Sequence, residues 1–224
     1  MVGMQTQTNS GVQLLAGDFP RVFKPITVLT GLVLVLGTLL GKILLGAATA
    51  AAKAGGNTGD GTLTMDEITP ILAFAKAGVY KVRIVRAAIA AIGETSPAMK
   101  AIAELKDPDG KVLEMFDVPT TPGVTISNQV KFAMIEGNTA FILGDGFDIT
   151  IAAGSGKYKA YDADNLDGSQ YPELILSEDV DSTAGDVNST GLASGHFNEA
   201  AITGVDANAK AYLVGKPIFF GSVS

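Results

Sequence analysis

Four stretches bring together residue types that could do chemistry. GNTGDGTLTMDE, residues 56–67, follows part of the calcium-loop pattern D-x-[DN]-x-[DN]-G-x5-E. Asp60, Gly61, Leu63 and Glu67 fall at its fifth, sixth, eighth and twelfth positions. Gly56 and Thr58 stand where the first and third oxygen ligands belong. Asp60 and Glu67 alone are too few oxygens for the ion, and a Gly-rich turn entering a strand at Thr62–Thr64 is the expectation. DADNLDG (162–168) and SEDVDSTAGD (177–186) hold enough carboxylates for acid–base work or metal binding. Asp, Asn, Ser and Gly are also the residues of exposed turns, and that is how both runs read. AAGSGKYK lacks the first glycine and the Ser/Thr after lysine that a phosphate loop needs.

The single histidine is His196, in ASGHFNE. One histidine cannot build a multi-histidine zinc site. No G-x-S-x-G context accompanies it. It is expected to be an exposed or capping residue near a loop. The chain has no cysteine, which excludes disulfides, thiolate metal sites and cysteine nucleophiles. No catalytic residue, no metal and no cofactor is expected, and the chain does not read as an enzyme.

The composition says what must hold such segments. Of 224 residues, 47% are hydrophobic and only 17% charged, with 27 glycines and no tryptophan. A sizeable core and many turns follow, which suits a mainly β protein. The net charge is −7 and no basic run occurs, so the electrostatic footprint of a nucleic-acid partner is missing.

GLVLVLGTLLGKILLGAATAAA, residues 31–52, is long enough to be weighed as a membrane span. Gly31, Gly37, Gly41 and Gly46 interrupt it and Lys42 lies inside it. A lysine near a helix centre costs roughly 2.5–3.5 kcal/mol on insertion scales. The stretch starts too late for a signal peptide, and the N-terminal residues 1–20 carry no lysine or arginine. It reads instead as a strand over Val33–Leu36, a turn at Gly37–Thr38, a second buried strand and a short Ala-rich segment, Ala47–Ala54.

Residues 1–17 have little apolar area to bury and are expected to form a flexible arm. FPRVFKPITVLT (19–30) reads as an irregular strand that Pro20 and Pro25 confine to edges or bends. Alternation marks strands in GVYKVRIVRAA (78–88), QVKFAMIEG (129–137) and DGFDITIAAG (145–154). In the first of these Tyr80, Val82, Ile84 and Arg86 share one face. Residues 99–118 read as a hairpin with its tip at Asp107-Pro108-Asp109-Gly110. Turn signals about every ten residues suggest a small sandwich or barrel. Residues 154–170 read as a junction, 171–183 as a strand running into an acidic loop, and 215–224 as a closing strand.

The two ends carry a resemblance. GDFPRVFKPITVLTG, LVLGTLLGKI with its G-T-L-L-G-K at Gly37–Lys42, GSQYPELILSEDVDST and GHFNEAAI follow one another in that order. This resembles the lambda-type phage head decoration proteins. There a strand ending in rG(T/S)vLGk precedes an aILsedvda strand and loop, and a G.FN..al segment follows. The middle resembles the β-rich insertion of longer phage and prophage members.

The resemblance implies a small β-rich, β-tulip-like decoration core at residues 18–55 and 158–224, interrupted by a sandwich- or barrel-like β domain at 56–157. It implies a homotrimer on the outer surface of the expanded capsid, made in the host cytoplasm and carried on the virion. There it would bind the major capsid protein and stabilise the shell against internal DNA pressure. No membrane and no nucleic acid would be partners. The arm would supply capsid contacts, with Met4, Gln5, Thr6, Gln7, Thr8, Val12 and Leu14 as candidates. Leu34, Leu36, Leu39, Leu40, Ile175 and Phe197 would form the core or the trimer contacts, and oligomerisation would supply burial that a short core lacks.

An adhesive β-rich surface protein, binding a host surface or glycan through the inserted domain, is the alternative. It would need an aromatic face drawn from Phe74, Tyr80, Phe116, Phe132, Phe141 and Phe147. An anchor through residues 26–52 is the third reading, tested by expression without detergent.

Overall fold

The computed structural model describes residues 13–90, 98–121 and 123–223. The chain is mainly β. Its strands are β1 (Val22–Val28), β2 (Val33–Leu34), β3 (Leu39–Lys42), β4 (Leu45–Ala52), β5 (Thr62–Met65), β6 (Gly78–Arg86), β7 (Ile102–Lys106), β8 (Val112–Asp117), β9 (Gly123–Ile126), β10 (Lys131–Ile135) and β11 (Gly146–Ala153). Beyond these come β12 (Tyr158–Ala160), β13 (Pro172–Leu176), β14 (Val180–Asp181), β15 (Val187–Asn198), the helix α1 (Ala207–Leu213) and β16 (Ile218–Gly221).

Two compact units divide the chain. The first runs to Ile43 and resumes at Gly156; the second is Leu44–Ser155. The Ala-rich strand β4 therefore lies in the second unit, pairing with β11.

In the first unit the sheet closes on itself. The order β1-β12-β3-β13-β15 returns to β1, because β1 also pairs with β15 from Val22↔Ser194 to Val28↔Val187. Two apolar clusters hold it. Leu39, Ile175, Leu192 and Phe197 belong to one; Val28, Leu40, Leu174 and Leu176 belong to the other. Neighbouring residues of β3 and of β13 point into different clusters. A strand buried on both faces must read as a continuous apolar run. That accounts for the apolar Leu39–Ile43 segment at the centre of the run without a bilayer, and no helix among the described residues is long and apolar enough to cross a membrane.

The glycines of G-T-L-L-G-K have separate tasks. Gly37 turns the chain at φ +83, a conformation that L side chains rarely adopt. Gly41 lets β3 pass so close to Ser169 that an added Cβ would lie 2.0 Å from the Ser169 carbonyl oxygen.

Three elements differ from the sequence reading. Residues 154–170, read as a junction, contain β12, which bridges β1 and β3. The longest strand, β15, was legible only as a fragment: VNSTGLASGHFN is poor in β-branched and aromatic residues. Its small inward residues suit close approach; Gly191, for one, lies against Leu174. Pro25 is tolerated in β1 because β12 reaches β1 only at Val28, leaving Pro25 paired on one side with Thr190. The helix α1 also went unread. Asp206 caps it, accepting from Ala209 N–H at 2.6 Å and from the Tyr161 hydroxyl at 3.1 Å. Its Ala209 and Leu213 are buried with Leu39 and Phe197.

The second unit stacks an antiparallel sheet, β4-β11-β6-β7-β8, and a smaller one, β5-β10-β9, around one core. Tyr80, Val82 and Ile84 from β6 meet Phe132 and Met134 from β10, and Phe147, Ile149 and Ile151 from β11. The hairpin tip stands where Asp107-Pro108-Asp109-Gly110 put it. The Asp107 carboxylate accepts from the N–H groups of Asp109 (3.0 Å) and Lys111 (2.8 Å).

Candidate functional site

The chain enters the first unit along β15. Ala16 N–H donates to the His196 carbonyl, and Asn198 N–H donates to the Leu14 carbonyl, both at 2.9 Å. Leu15 bridges Phe197 antiparallel, while Phe220 of β16 pairs with the same Phe197 parallel. Residues 14–16 and β16 thus flank opposite edges of the end of β15. The Asn198 side chain adds a bond to the Gln13 carbonyl at 2.9 Å. The chain before Gln13 consequently departs from a fixed point.

Around this root the surface is hollow, with one mainly polar depression and one more apolar. A depression of about 450 Å³ lies between Gln13, Phe19, Arg21, Phe23 and Val223. One of about 270 Å³, sharing Gln13, Arg21 and Phe23, reaches Ser177 and Leu192. Phe19 meets Phe219 edge to face, with centroids 4.8 Å apart. Such hollows suit an extended chain or an apolar side chain.

A second surface follows α1. Tyr171 stacks on Tyr212 at 5.0 Å, and Lys216 Nζ lies 4.0 Å from the Tyr212 ring centroid. Lys216 also donates to the Pro172 carbonyl at 3.0 Å. Burial pushes its pKa down, against the Glu173 carboxylate, which raises it. A third surface is the exposed edge at Val33, Val35 and Leu36. There Leu36 N–H donates to Asp179 at 2.7 Å.

The stretches that first invited chemistry take other parts. His196 is neither exposed nor a cap. It is a half-buried strand residue of β15, and its imidazole fits between Gly17 and Gly221, where an added Cβ would come within 2.6 and 2.4 Å of the ring nitrogens. At residues 56–67 the backbone turns donors inward: Thr58 and Gly59 N–H donate to Asp145, each at 3.0 Å. Asp60 accepts from Thr139 N–H at 2.8 Å, and Glu67 is exposed. An arrangement of N–H groups around a carboxylate has the polarity opposite to a cation site. In the acidic runs, Asp167 accepts from Ser169 and pairs with Lys159, and Asp181 accepts from Thr183. Both are turn-closing bonds. Among the described residues no group of three or more His, Cys, Asp or Glu is placed to hold a metal ion.

A family model for the bacteriophage lambda head decoration protein D matches residues 3–214. The chain belongs to that family. No curated protein and no solved structure matches it. It is a phage head decoration protein, a structural component of the virion head, from a family that is not enzymatic.

The structure distributes the family-derived candidates unevenly. Met4, Gln5, Thr6, Gln7, Thr8 and Val12 lie outside the described residues. Leu14 is half-buried against the first apolar cluster and packs on Gly37. Leu34, Leu39, Leu40, Ile175 and Phe197 are buried inside the unit itself. Only Leu36 of those six has surface to offer another molecule. Of the six middle-region aromatics, Tyr80, Phe132, Phe141 and Phe147 are buried and Phe116 is packed against the same core. Phe74 alone is exposed, at 66%, so they form no aromatic face.

The surfaces around Phe19, Phe219 and the Tyr171–Tyr212 pair were not read from the sequence. Tyr212 and Lys216 are four residues apart, but their contact needs the turn after α1. Tyr171 reaches them only through the fold.

Proposed function

We propose that the chain is a capsid cement. Copies bind as homotrimers to the major capsid protein on the outer surface of the expanded shell and hold neighbouring subunits together against internal DNA pressure. The arm of residues 1–12, with Met4 to Thr8 and Val12, supplies capsid contacts by adding backbone to capsid β-structure. The discontinuous first unit is the decoration core, and the second unit is an insertion in its chain. Many modest contacts repeated over one shell give collective reinforcement.

Family membership supports decoration. The observation that carries the finer reading is the root at Gln13–Ala16. It is hydrogen-bonded to β15 at a fixed point and opens onto surface hollows, so a pull on the arm is transmitted directly to the barrel.

The test is reinforcement. DNA-filled heads lacking the protein are heated with and without added purified chain, and DNA release is followed. Cementing raises the release temperature saturably. An unchanged release temperature at full occupancy would leave decoration without cementing. An adhesive role predicts binding to host cells and no effect on the head.

A further inference from the structure

The core of the second unit ends in two opposite charges. On β6 the buried row Tyr80, Val82 and Ile84 is followed, beyond a bulge in the β6–β7 register, by Arg86. On β10 the buried row Phe132 and Met134 is followed by Glu136. The two rows start together, where the Tyr80 hydroxyl donates to Gln129 Oε1 at 2.7 Å. Hydrogen bonds join their far ends too. Arg86 Nη2 donates to the Lys100 carbonyl at 3.0 Å. Ala101, the next residue, accepts from Val118 N–H at 2.8 Å. Pro119, after Val118, accepts from Glu136 N–H at 2.9 Å.

Each of the two charged side chains holds a buried polar atom that the chain leaves unpaired. Arg86 Nε and Glu136 Oε1 are both out of solvent, and neither has a hydrogen-bond partner. Among the described residues neither side chain forms an ion pair, so the two do not meet directly. A buried donor or acceptor left in that state carries the full desolvation penalty of its group.

We propose that one internal water molecule lies between them, accepting from Arg86 Nε–H and donating to Glu136 Oε1, and so clasps the two sheets at this end of the second unit. The chemistry selects water. The site offers one donor and one acceptor, and a water molecule is both. A cation is opposed by the guanidinium, and an anion by the carboxylate. Internal waters of this kind complete buried polar groups that have no other partner. The link also fixes which residue of one sheet faces which residue of the other, because a slipped strand would leave a charge alone in the core. It lies within the second unit and does not depend on the shell-binding reading.

A crystal structure of the full chain is the direct test. The expected result is an ordered water within about 3.2 Å of both Arg86 Nε and Glu136 Oε1. Side chains in direct contact, or no water between them, would overturn the site.

A double-mutant cycle tests the link in solution. Arg86→Met and Glu136→Leu each leave the opposite charge buried without its counterpart, so each lowers the melting temperature. The double variant removes both groups and loses less than the sum of the two single losses. Losses that simply add would show that the two groups are not coupled, and would overturn the clasp even where a water is seen.

Discussion

The side chain of Asn198 and the carbonyl of Gln13 are joined by a hydrogen bond of 2.9 Å across 185 residues of sequence. The same asparagine donates its backbone N–H to Leu14 and accepts, through its side chain, from Ala200 N–H at 3.3 Å. One residue thereby ties the start of the described chain to the end of β15 and caps the short turn Glu199–Ala201. Asn198→Ala removes two of these three bonds. The expected loss of stability is about 1–2 kcal/mol, read from denaturant midpoints. Shell affinity should fall several-fold, because the arm no longer leaves from a fixed root. Unchanged shell affinity would mean that the root's position does not matter to binding.

Two truncations separate the arm from its anchor. Removing residues 1–12 should leave the melting temperature unchanged and weaken shell binding. Removing 1–17 should also lower the melting temperature, because Leu14 and Leu15 pack against the cluster of Leu39 and Phe197. Normal shell occupancy by the shorter deletion would refute the arm's role.

Gly41→Ala tests the close approach in G-T-L-L-G-K. The new methyl would meet backbone, the Ser169 carbonyl at 2.0 Å, and backbone cannot step aside as a flexible side chain can. The substitution should cost more than about 3 kcal/mol and show as poor soluble yield or a sharply lowered melting temperature. A near-neutral effect would mean that β3 does not run this close to Ser169.

Asp145 contributes to the acid behaviour of the second unit. Desolvation pushes its carboxyl up, but N–H bonds from Gly59, Thr58 and Ile142 outweigh this, and it ionises below its ordinary value. A carboxyl so depressed stabilises the fold above its unfolded pKa, about 3.9. That contribution is lost as pH falls through the lower folded value. Thermal stability should therefore hold from neutral pH to about pH 4 and decline below it. Asp145→Ala leaves these N–H groups without their acceptor and should cost about 2 kcal/mol or more at pH 7. It should also flatten the acid limb without abolishing it, since Asp66 and Asp107 are depressed too, chiefly by hydrogen bonds from Lys131 and Lys76. An acid limb as steep as the wild type's would show that Asp145 is not among the groups that titrate on unfolding.

What the sequence disclosed follows from how strongly each local signal depends on the rest of the fold. The strands at 78–86, 131–135 and 146–153 were visible because one face of each is buried, and burial forces alternation. The Asp107–Gly110 turn was visible because its chemistry is local. β3 was ambiguous because burial on both faces erases alternation and leaves an apolar run that a bilayer would also accept. β15 was nearly invisible: its glycines and serines are chosen for neighbours distant in sequence, such as Leu174, Pro20 and Val22. The motif order at the chain ends disclosed the family, yet five of the six apolar residues it singled out face inward. The surfaces left for partners, at Leu36, Val214 and Phe219, emerge only when the barrel is closed.

The most direct test of the decoration account is to titrate expanded and unexpanded shells of the cognate phage with the purified chain and count bound copies by co-sedimentation. Saturable binding to expanded shells only, in threes at each local three-fold position, is the expected result. Equal binding to both forms, or none to either, would contradict it.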